Sequence, residues 1–153
     1  MDVDNTSISR IIVGSDHAGF RLKERLLQVL VAKGFVVVDV GVFDDLPADY
    51  PEIASKVAAK VKADKSAKGI LVCGSGTGMA IVANRFKGIR AVAAYDAFTA
   101  RSSRIDNDAN VLCLRSRSFP VKRSESIMLL WLRTPFSGLA RHRKRIGQLE
   151  ARG

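Results

Sequence analysis

The sequence predicts an α/β fold in which a five-stranded parallel sheet is covered by helices on both faces. Strand and helix patterns alternate along the chain, and most predicted strands are apolar throughout, which is typical of parallel sheets buried on both sides. The 153 residues are enough for one domain with a substantial hydrophobic core. We therefore expect a single domain over residues 1–153, with a flexible N-terminus at 1–9 and a C-terminal helix within 138–153.

The first part of the chain predicts two strands and two helices. Residues Arg10–Ser15 are a short apolar strand, and Phe20–Lys33 repeats apolar residues at helical spacing. Gly34 then supplies a helix stop, and the β-branched run Phe35–Val40 predicts the second strand. Pro51 favours the first position of the second helix, which extends to Lys62.

The remainder predicts three more strands and four more helices. Each strand is a short apolar run, and each helix has apolar residues on one side. The strands are Ile70–Cys73, Arg90–Ala94 and Ala109–Leu114, and the helices are Met79–Phe86, Ala97–Ile105, Pro120–Leu132 and Ala140–Leu149.

A glycine-rich loop, Cys73–Gly78, connects the central strand to the helix that follows. Alternating glycines allow several backbone N–H groups and a helix N-terminus to face one point, an arrangement that suits an anion. The same field favours the thiolate form of Cys73. The alternative interpretation is that Cys73 ends a buried strand as a small apolar residue and that the glycines form a tight turn.

Polar residues follow four of the predicted elements at one edge of the sheet. Ligands of parallel α/β sheets bind at the carboxyl ends of the strands, so these residues are expected to surround a site. They are Asp16 and His17 after the first strand, Tyr50 after the loop of the second, Cys73–Gly78 after the third, and Arg115 and Arg117 after the fifth.

The net charge of +10 is concentrated in the C-terminal part of the chain. Residues 115–153 contain ten arginines and lysines but only two acids, Glu125 and Glu150. A basic tail can contact nucleic acid. However, its aromatic residues are not interleaved with the basic cluster, and no named nucleic-acid motif is present. Solvated helix faces with a few anion ligands are therefore the favoured interpretation, and a nucleic-acid partner is not expected.

The two cysteines, Cys73 and Cys113, are too few for a disulfide scaffold, and both lie in apolar strands. We expect both to be reduced. The polar residues 1–10 have no signal core, and no apolar run approaches membrane-spanning length. These patterns predict a cytoplasmic enzyme or binding protein without a membrane partner.

Several linked motifs resemble the type B ribose-5-phosphate isomerase family, which includes galactose-6-phosphate isomerase subunits. The resemblance runs in order from about Ile11 to Leu149. Its motifs are Ser15–Gly19, Asp49–Pro51, Gly69–Met79, Asn84 with Lys87–Ala91, and Asn107–Leu112.

The resemblance implies a Rossmann-like α/β/α sandwich that forms a homodimer, with each active site completed by the partner chain. Whether dimers pair into tetramers is left open. It also implies aldose–ketose isomerisation of a phosphosugar without metal or cofactor, with ribose 5-phosphate to ribulose 5-phosphate as the first expectation.

The resemblance also implies roles for individual residues. Cys73 matches the catalytic base, which moves a proton between C1 and C2 through a cis-enediolate. A branch of the family has a glutamate where this chain has Met79, so the cysteine is the favoured base. The loop residues Gly74, Ser75, Gly76, Thr77 and Gly78 match an anion hole for the enediolate oxygen. Sugar hydroxyls are assigned to Asp16, Tyr50 and Asn107, and the phosphate to His17, Arg117, Arg141 and Arg145. For His17 the plainer alternative is a cap on the following helix.

The chain departs from the family pattern at two places. Asp106 stands where the family commonly has the histidine assigned to opening the furanose ring. A carboxylate is a poorer donor to the ring oxygen unless burial raises its pKa. The other histidine, His142, is expected to be a second phosphate ligand or a surface residue. The segment Ser137–Arg141 also differs from the family, which leaves the register of Arg141 and Arg145 open.

Asp106 suggests a second substrate class. Erythrose 4-phosphate cannot close a furanose ring, because its 4-oxygen is esterified, so its isomerase needs no ring-opening histidine. Tetrose 4-phosphates, and hexose 6-phosphates on the same scaffold, are therefore the alternatives to ribose 5-phosphate. A different class of function is a phosphate- or nucleotide-binding module without catalysis, although the loop lacks the P-loop and dinucleotide signatures.

Overall fold

The computed structural model describes residues 10–153, and the predicted flexible segment 1–9 lies outside the described residues. Five strands form one sheet in the order β2-β1-β3-β5-β4, and every pair is parallel. The strands are β1 Arg10–Ser15, β2 Val36–Asp39, β3 Lys68–Cys73, β4 Ala91–Ala93 and β5 Val111–Arg115. The predicted five-stranded parallel sheet is therefore confirmed.

Six helices connect and cover the strands. They are α1 Phe20–Ala32, α2 Tyr50–Ala63, α3 Thr77–Ala83, α4 Ala97–Asn107, α5 Val121–Arg133 and α6 Ala140–Glu150. Over residues 10–153, none of these helices combines the length and apolar composition that a bilayer crossing requires.

Alternate residues of β3 point to opposite faces of the sheet, and each face has its own hydrophobic core. Ile70 and Val72 pack on one side with residues of α1, α4 and α5, including the fully buried Trp131. Leu71 and Cys73 pack on the other side with residues of α2 and α3. Because full burial of one large apolar side chain contributes about 1.5–3 kcal/mol, both layers stabilise the fold. Cys73 therefore belongs to the α2–α3 side.

The helix after the glycine loop begins earlier than the sequence predicts. It starts at Thr77, so Thr77 and Gly78 form its first turn and do not belong to the loop. Gly76 makes this early start possible because it has a left-handed backbone with φ of +81°, a conformation that other residues rarely adopt. The connection between β3 and α3 is therefore only three residues long.

A buried lysine ties α1 to the end of β2. Lys23 is fully buried, and its Nζ lies 2.7 Å from Asp39 Oδ2 and 3.1 Å from Glu24 Oε1. The ammonium group is also 5.5 Å from the ring centre of Phe20 and 5.4 Å from that of Phe43. Because the ammonium group is buried, removing Asp39, the nearer of its two carboxylate partners, would destabilise the chain.

Candidate active site

A cavity of about 540 Å³ lies at the carboxyl ends of the strands. It opens at the edge of the sheet where the sequence predicted a site. Nine of the residues that line it belong to the predicted polar clusters, and Tyr95 completes the wall. The lining residues are Asp16, Tyr50, Cys73, Gly74, Ser75, Thr77, Gly78, Tyr95, Arg115 and Arg117.

Cys73 is the last residue of β3 and has only 4% of its surface exposed. The backbone N–H of Gly76 donates to Cys73 Sγ with a distance of 3.0 Å. A Cβ at position 76 would lie 3.2 Å from the carbonyl oxygen of Leu114, so the glycine also allows close packing on β5. A backbone donor aimed at sulfur stabilises negative charge there.

The second cysteine, Cys113, lies on β5 and packs into the same core as Cys73. It is completely buried, and burial raises the pKa of the Cys113 thiol because the thiolate would lose its hydration. Cys113 is therefore a neutral core residue.

Hydroxyl groups line one side of the cavity. Ser75 Oγ and Thr77 Oγ1 are 2.8 Å apart and share a hydrogen bond. The Tyr95 hydroxyl donates to the carbonyl oxygen of Ser75 at 2.6 Å, so it fixes the loop from the β4 side. Tyr95 was missed by the sequence analysis, although it follows β4 at the same edge of the sheet.

Asp16 and Tyr50 approach the loop from the β1 and β2 side. Asp16 is buried, and its Oδ1 accepts the backbone N–H of Gly19 at 3.0 Å. Tyr50 begins α2 and lies against Gly78, where a Cβ would be only 2.8 Å from the tyrosine ring. Any larger residue at position 78 would therefore push Tyr50 out of the cavity wall.

His17 is half-buried next to the cavity, and it does not cap the following helix. The N-cap of α1 is Gly19, which makes no side-chain cap hydrogen bond. Nδ1 of His17 lies 3.1 Å from the backbone nitrogen and 3.3 Å from the carbonyl oxygen of Ala48, so the imidazole is held against the loop before α2. The capping interpretation of His17 is therefore wrong.

Two arginines follow β5 into the cavity wall. The Arg117 guanidinium lies against Gly74, since a Cβ at position 74 would be 2.9 Å from Arg117 Nη1. Arg115 Nε donates to the carbonyl oxygen of Arg117 at 2.7 Å. Within residues 10–153, neither guanidinium has a carboxylate within 4.0 Å. The wall is therefore positively charged and suits an anion.

Six predicted site residues are not among those that line this cavity, and two of them, His17 and Gly76, directly adjoin lining residues in the chain. Asp106 and Asn107 are at the end of α4, and Asn107 lines a second cavity of about 400 Å³. Arg141 and Arg145 are exposed on α6, and neither is in the wall of the cavity that holds Cys73. The structure thus divides the predicted site residues into two groups on one chain.

His142 is buried, so the expectation of a surface residue is wrong. Only 6% of it is exposed, and Nδ1 lies 2.6 Å from Ser137 Oγ. Nε2 lies 3.5 Å from Asp106 Oδ1, while the Asp106 side chain is 49% exposed. The His142 imidazole therefore lies next to the Asp106 carboxylate, which occupies the position where the family commonly has a histidine. Histidine is a common proton carrier near neutral pH.

No cluster of three or more His, Cys, Asp or Glu side chains suited to a metal ion occurs among residues 10–153.

Known proteins resemble this chain over almost its whole length. The ribose-5-phosphate isomerase B of Escherichia coli is 39% identical over 144 residues, which are 94% of this chain and 96% of the relative. The D-erythrulose-4-phosphate isomerase 2 of Mycolicibacterium smegmatis is 40% identical over 131 residues, covering 83% of this chain and 86% of the relative.

Solved structures share the fold as well. Ribose-5-phosphate isomerase B from Mycoplasma genitalium with bound ribulose-5-phosphate superposes with a TM-score of 0.91 at 37% identity, covering 96% of this chain and 97% of the other. The family described as Ribose/Galactose Isomerase matches residues 11–149. The chain therefore belongs to the ribose/galactose isomerase family.

Proposed function

We propose that this chain is an aldose–ketose isomerase of phosphosugars with Cys73 as its catalytic base. The observation that carries the proposal is Cys73 at the end of β3, whose sulfur accepts the Gly76 N–H. It lines a cavity with Arg115 and Arg117, neither of which has a carboxylate within 4.0 Å among residues 10–153. Proton transfer on a phosphorylated sugar needs a base beside the reacting carbons and an anion-binding wall, and a thiolate can supply the base.

In the proposed mechanism the Cys73 thiolate removes the C2 proton of the open-chain aldose. The electrons of the C–H bond form the C1–C2 double bond, and O1 becomes the enediolate oxygen. The N–H groups of Gly74–Gly78, which form the loop and the first turn of α3, stabilise this charge, a contribution of several kcal/mol in comparable sites. A proton then moves from O2 to O1, and Cys73 returns its proton to C1, so the ketose forms without loss of any atom.

Asp16, Tyr50 and Ser75 are placed to hold sugar hydroxyls in this proposal. The hydroxyl pair of Ser75 and Thr77 offers both a donor and an acceptor toward the cavity. Asp16 uses one oxygen to bond Gly19, which fixes its second oxygen in place for a ligand.

Ribose 5-phosphate is the first candidate substrate, because relatives that match 94% and 96% of this chain are named for ribose-5-phosphate isomerase B. Tetrose 4-phosphates are the second candidate, since a relative of 40% identity is named D-erythrulose-4-phosphate isomerase 2. Asp106 favours this second class, because a tetrose 4-phosphate needs no ring opening. Hexose 6-phosphates remain the third substrate class to assay.

The second group of site residues supports a homodimer with shared active sites. Helix α6 places Arg141 and Arg143 in its first turn, where positive charge is unfavourable next to the positive end of the helix dipole. An incoming phosphate would relieve this cost. Ile81 is 65% exposed and Phe98 is 77% exposed, and apolar side chains of this size are suited to burial between two copies. We propose that Asn107, Asp106, Arg141 and Arg145 complete the cavity of the partner chain.

The proposal includes the remaining expectations about the chain. One isomerase domain spans residues 1–153, no metal or cofactor takes part, and the protein acts in the cytoplasm with its two free cysteines reduced. A binding module without catalysis is the different-class alternative.

Cys73→Ala is the direct test of the mechanism. We expect it to abolish isomerisation of ribose 5-phosphate and of erythrulose 4-phosphate while the melting temperature changes little, because the residue is small. Cys113→Ala is the matched control, since it removes the other buried thiol and should leave turnover intact. Near-normal turnover by Cys73→Ala would remove the cysteine from its role. Phosphosugar binding without turnover by the unmodified chain would support the binding module.

Subunit complementation tests the shared site. Cys73→Ala and Arg141→Ala chains, each inactive alone, are co-expressed, and in heterodimers one of the two sites then has both residues intact. With random pairing about a quarter of all sites should be active, as expected for a two-fold symmetric dimer. No recovery of activity would show that Arg141 does not serve the partner's cavity.

A further inference from the structure

Arg115 belongs to the cavity wall, although the proposed mechanism assigns it no role. It is the last residue of β5, and its Cα is paired with that of Cys73 in the parallel register. Its Nε donates to the carbonyl oxygen of Arg117, and its guanidinium carbon lies 5.8 Å from the ring centre of Phe119. These two contacts hold the side chain beside the proposed base.

The support for Arg115 continues into the glycine loop. The Phe119 ring contacts Tyr95 with ring centres 6.4 Å apart. Tyr95 in turn donates its hydroxyl to the carbonyl oxygen of Ser75. Because each member of this chain of contacts is fixed by the next, the guanidinium has a defined place in the wall. Such ordering lowers the entropy that ligand binding would otherwise cost.

The terminal nitrogens of Arg115 are free for a ligand. Among residues 10–153, Nε is its only atom with a side-chain hydrogen bond to protein, and no carboxylate neutralises it. Arg117 lies alongside, against Gly74. Two neighbouring guanidiniums with free donors are well suited to a phosphate, which they bind through paired hydrogen bonds.

We propose that Arg115 is a specificity-determining residue that favours four-carbon over five-carbon phosphosugars. This inference rests on the proposed isomerase function. With C1 and C2 at Cys73, the phosphate of a tetrose is one carbon nearer to the base than that of a pentose. Arg115 and Cys73 line the same cavity, so Arg115 serves the nearer phosphate, whereas Arg141 and Arg145 lie outside this cavity.

The test compares Arg115→Ala and Arg115→Lys with Arg123→Ala. Arg123 is a matched control because its guanidinium carbon lies 5.6 Å from the same Phe119 ring, but it lines a different cavity. The ratio of kcat/KM for erythrulose 4-phosphate to that for ribulose 5-phosphate is measured for each variant. Arg115→Ala should lower this ratio by about tenfold or more, as expected for loss of a charge-assisted hydrogen bond to one substrate only. Arg115→Lys, which keeps the charge, should lower it less, and Arg123→Ala should leave it unchanged.

The same variants are titrated with 4-phosphoerythronate and 5-phosphoribonate, which cannot isomerise. Arg115→Ala should weaken binding of the four-carbon acid selectively. If both turnover rates and both affinities fall equally, or none changes, the inference is overturned. If the unmodified chain turns over no phosphosugar, the proposed function fails, and the two affinities alone decide about Arg115. If Arg115→Ala does not fold, Arg115→Lys carries the comparison.

Discussion

Replacing Gly76 by alanine tests whether the glycine loop acts in catalysis as well as in folding. Gly76 has φ of +81° and donates its N–H to Cys73 Sγ at 3.0 Å. A side chain in left-handed backbone costs about 1–2 kcal/mol. In addition, the new Cβ would lie 3.2 Å from the carbonyl oxygen of Leu114, so the loop must shift by a few tenths of an ångström. That shift moves the N–H away from the sulfur.

The two effects differ greatly in size. A loss of about 1–2 kcal/mol should lower the melting temperature by about 2–8 °C in a chain of this length. By contrast, kcat should fall by about 100-fold or more, because the shifted loop also displaces the N–H groups that stabilise the enediolate oxygen, and loss of one such donor typically costs that much. Calorimetry measures the first effect, and steady-state isomerisation of ribose 5-phosphate and erythrulose 4-phosphate measures the second.

Gly34→Ala is the control for strain without a role at the site. Gly34 has φ of +87°, and a Cβ there would meet no atom within 4 Å. We expect a similar drop in melting temperature with unchanged kcat. If Gly76→Ala keeps kcat within about threefold of the unmodified chain, the loop N–H does not serve catalysis and the reasoning fails.

Two further predictions concern Asp106 and Cys113. Asp106→His should raise turnover of ribose 5-phosphate but not of erythrulose 4-phosphate, because only the pentose needs ring opening. Asp106→Asn is the control. An equal gain for both sugars would refute a role of position 106 in ring opening. For Cys113, burial raises the thiol pKa above its ordinary value of 9.0, so above about pH 9 the unfolded chain releases a proton that the folded chain retains. Stability should therefore fall as the pH rises from 9 to 11, and Cys113→Ala should show a shallower fall in urea unfolding; identical slopes would contradict it.

The elements of the fold could be predicted because their signals are local. The apolar runs of β1 and β3 and the helical spacing of Leu22, Leu26 and Leu30 in α1 are visible without knowledge of the rest of the chain. The strand order could not be predicted this way. β3 lies between β1 and β5 because of pairings between distant segments, and no local pattern encodes them.

The cavity itself was largely predictable from the rule that parallel strands present their carboxyl ends at one edge. Asp16, Cys73 and Arg117 are brought together as that rule requires. The same rule would have found Tyr95, which follows β4. The predicted strand Arg90–Ala94 ends directly before Tyr95, so the sequence already places this side chain at that edge.

The contacts of buried polar groups could not be predicted from the sequence. His142 occurs in a strongly basic helix and gives no sign of burial until its contact with Ser137 is known. Lys23 is likewise one of many lysines until the structure places it beside Asp39. Both depend on partners that reach them through the tertiary fold, and side-chain type alone does not reveal such partners.

The parallel sheet also determines when the site can form as the chain folds. Ser116 Oγ and its backbone N–H both donate to the carbonyl oxygen of Cys73, across 43 positions of sequence. The Arg117 N–H donates to Gly74 in the same way. Contacts between distant segments form slowly, because closing the long intervening loop is entropically costly. The thiol therefore meets its anion-binding surroundings only after β3 and β5 have paired, and recovery of activity during refolding should follow that late step.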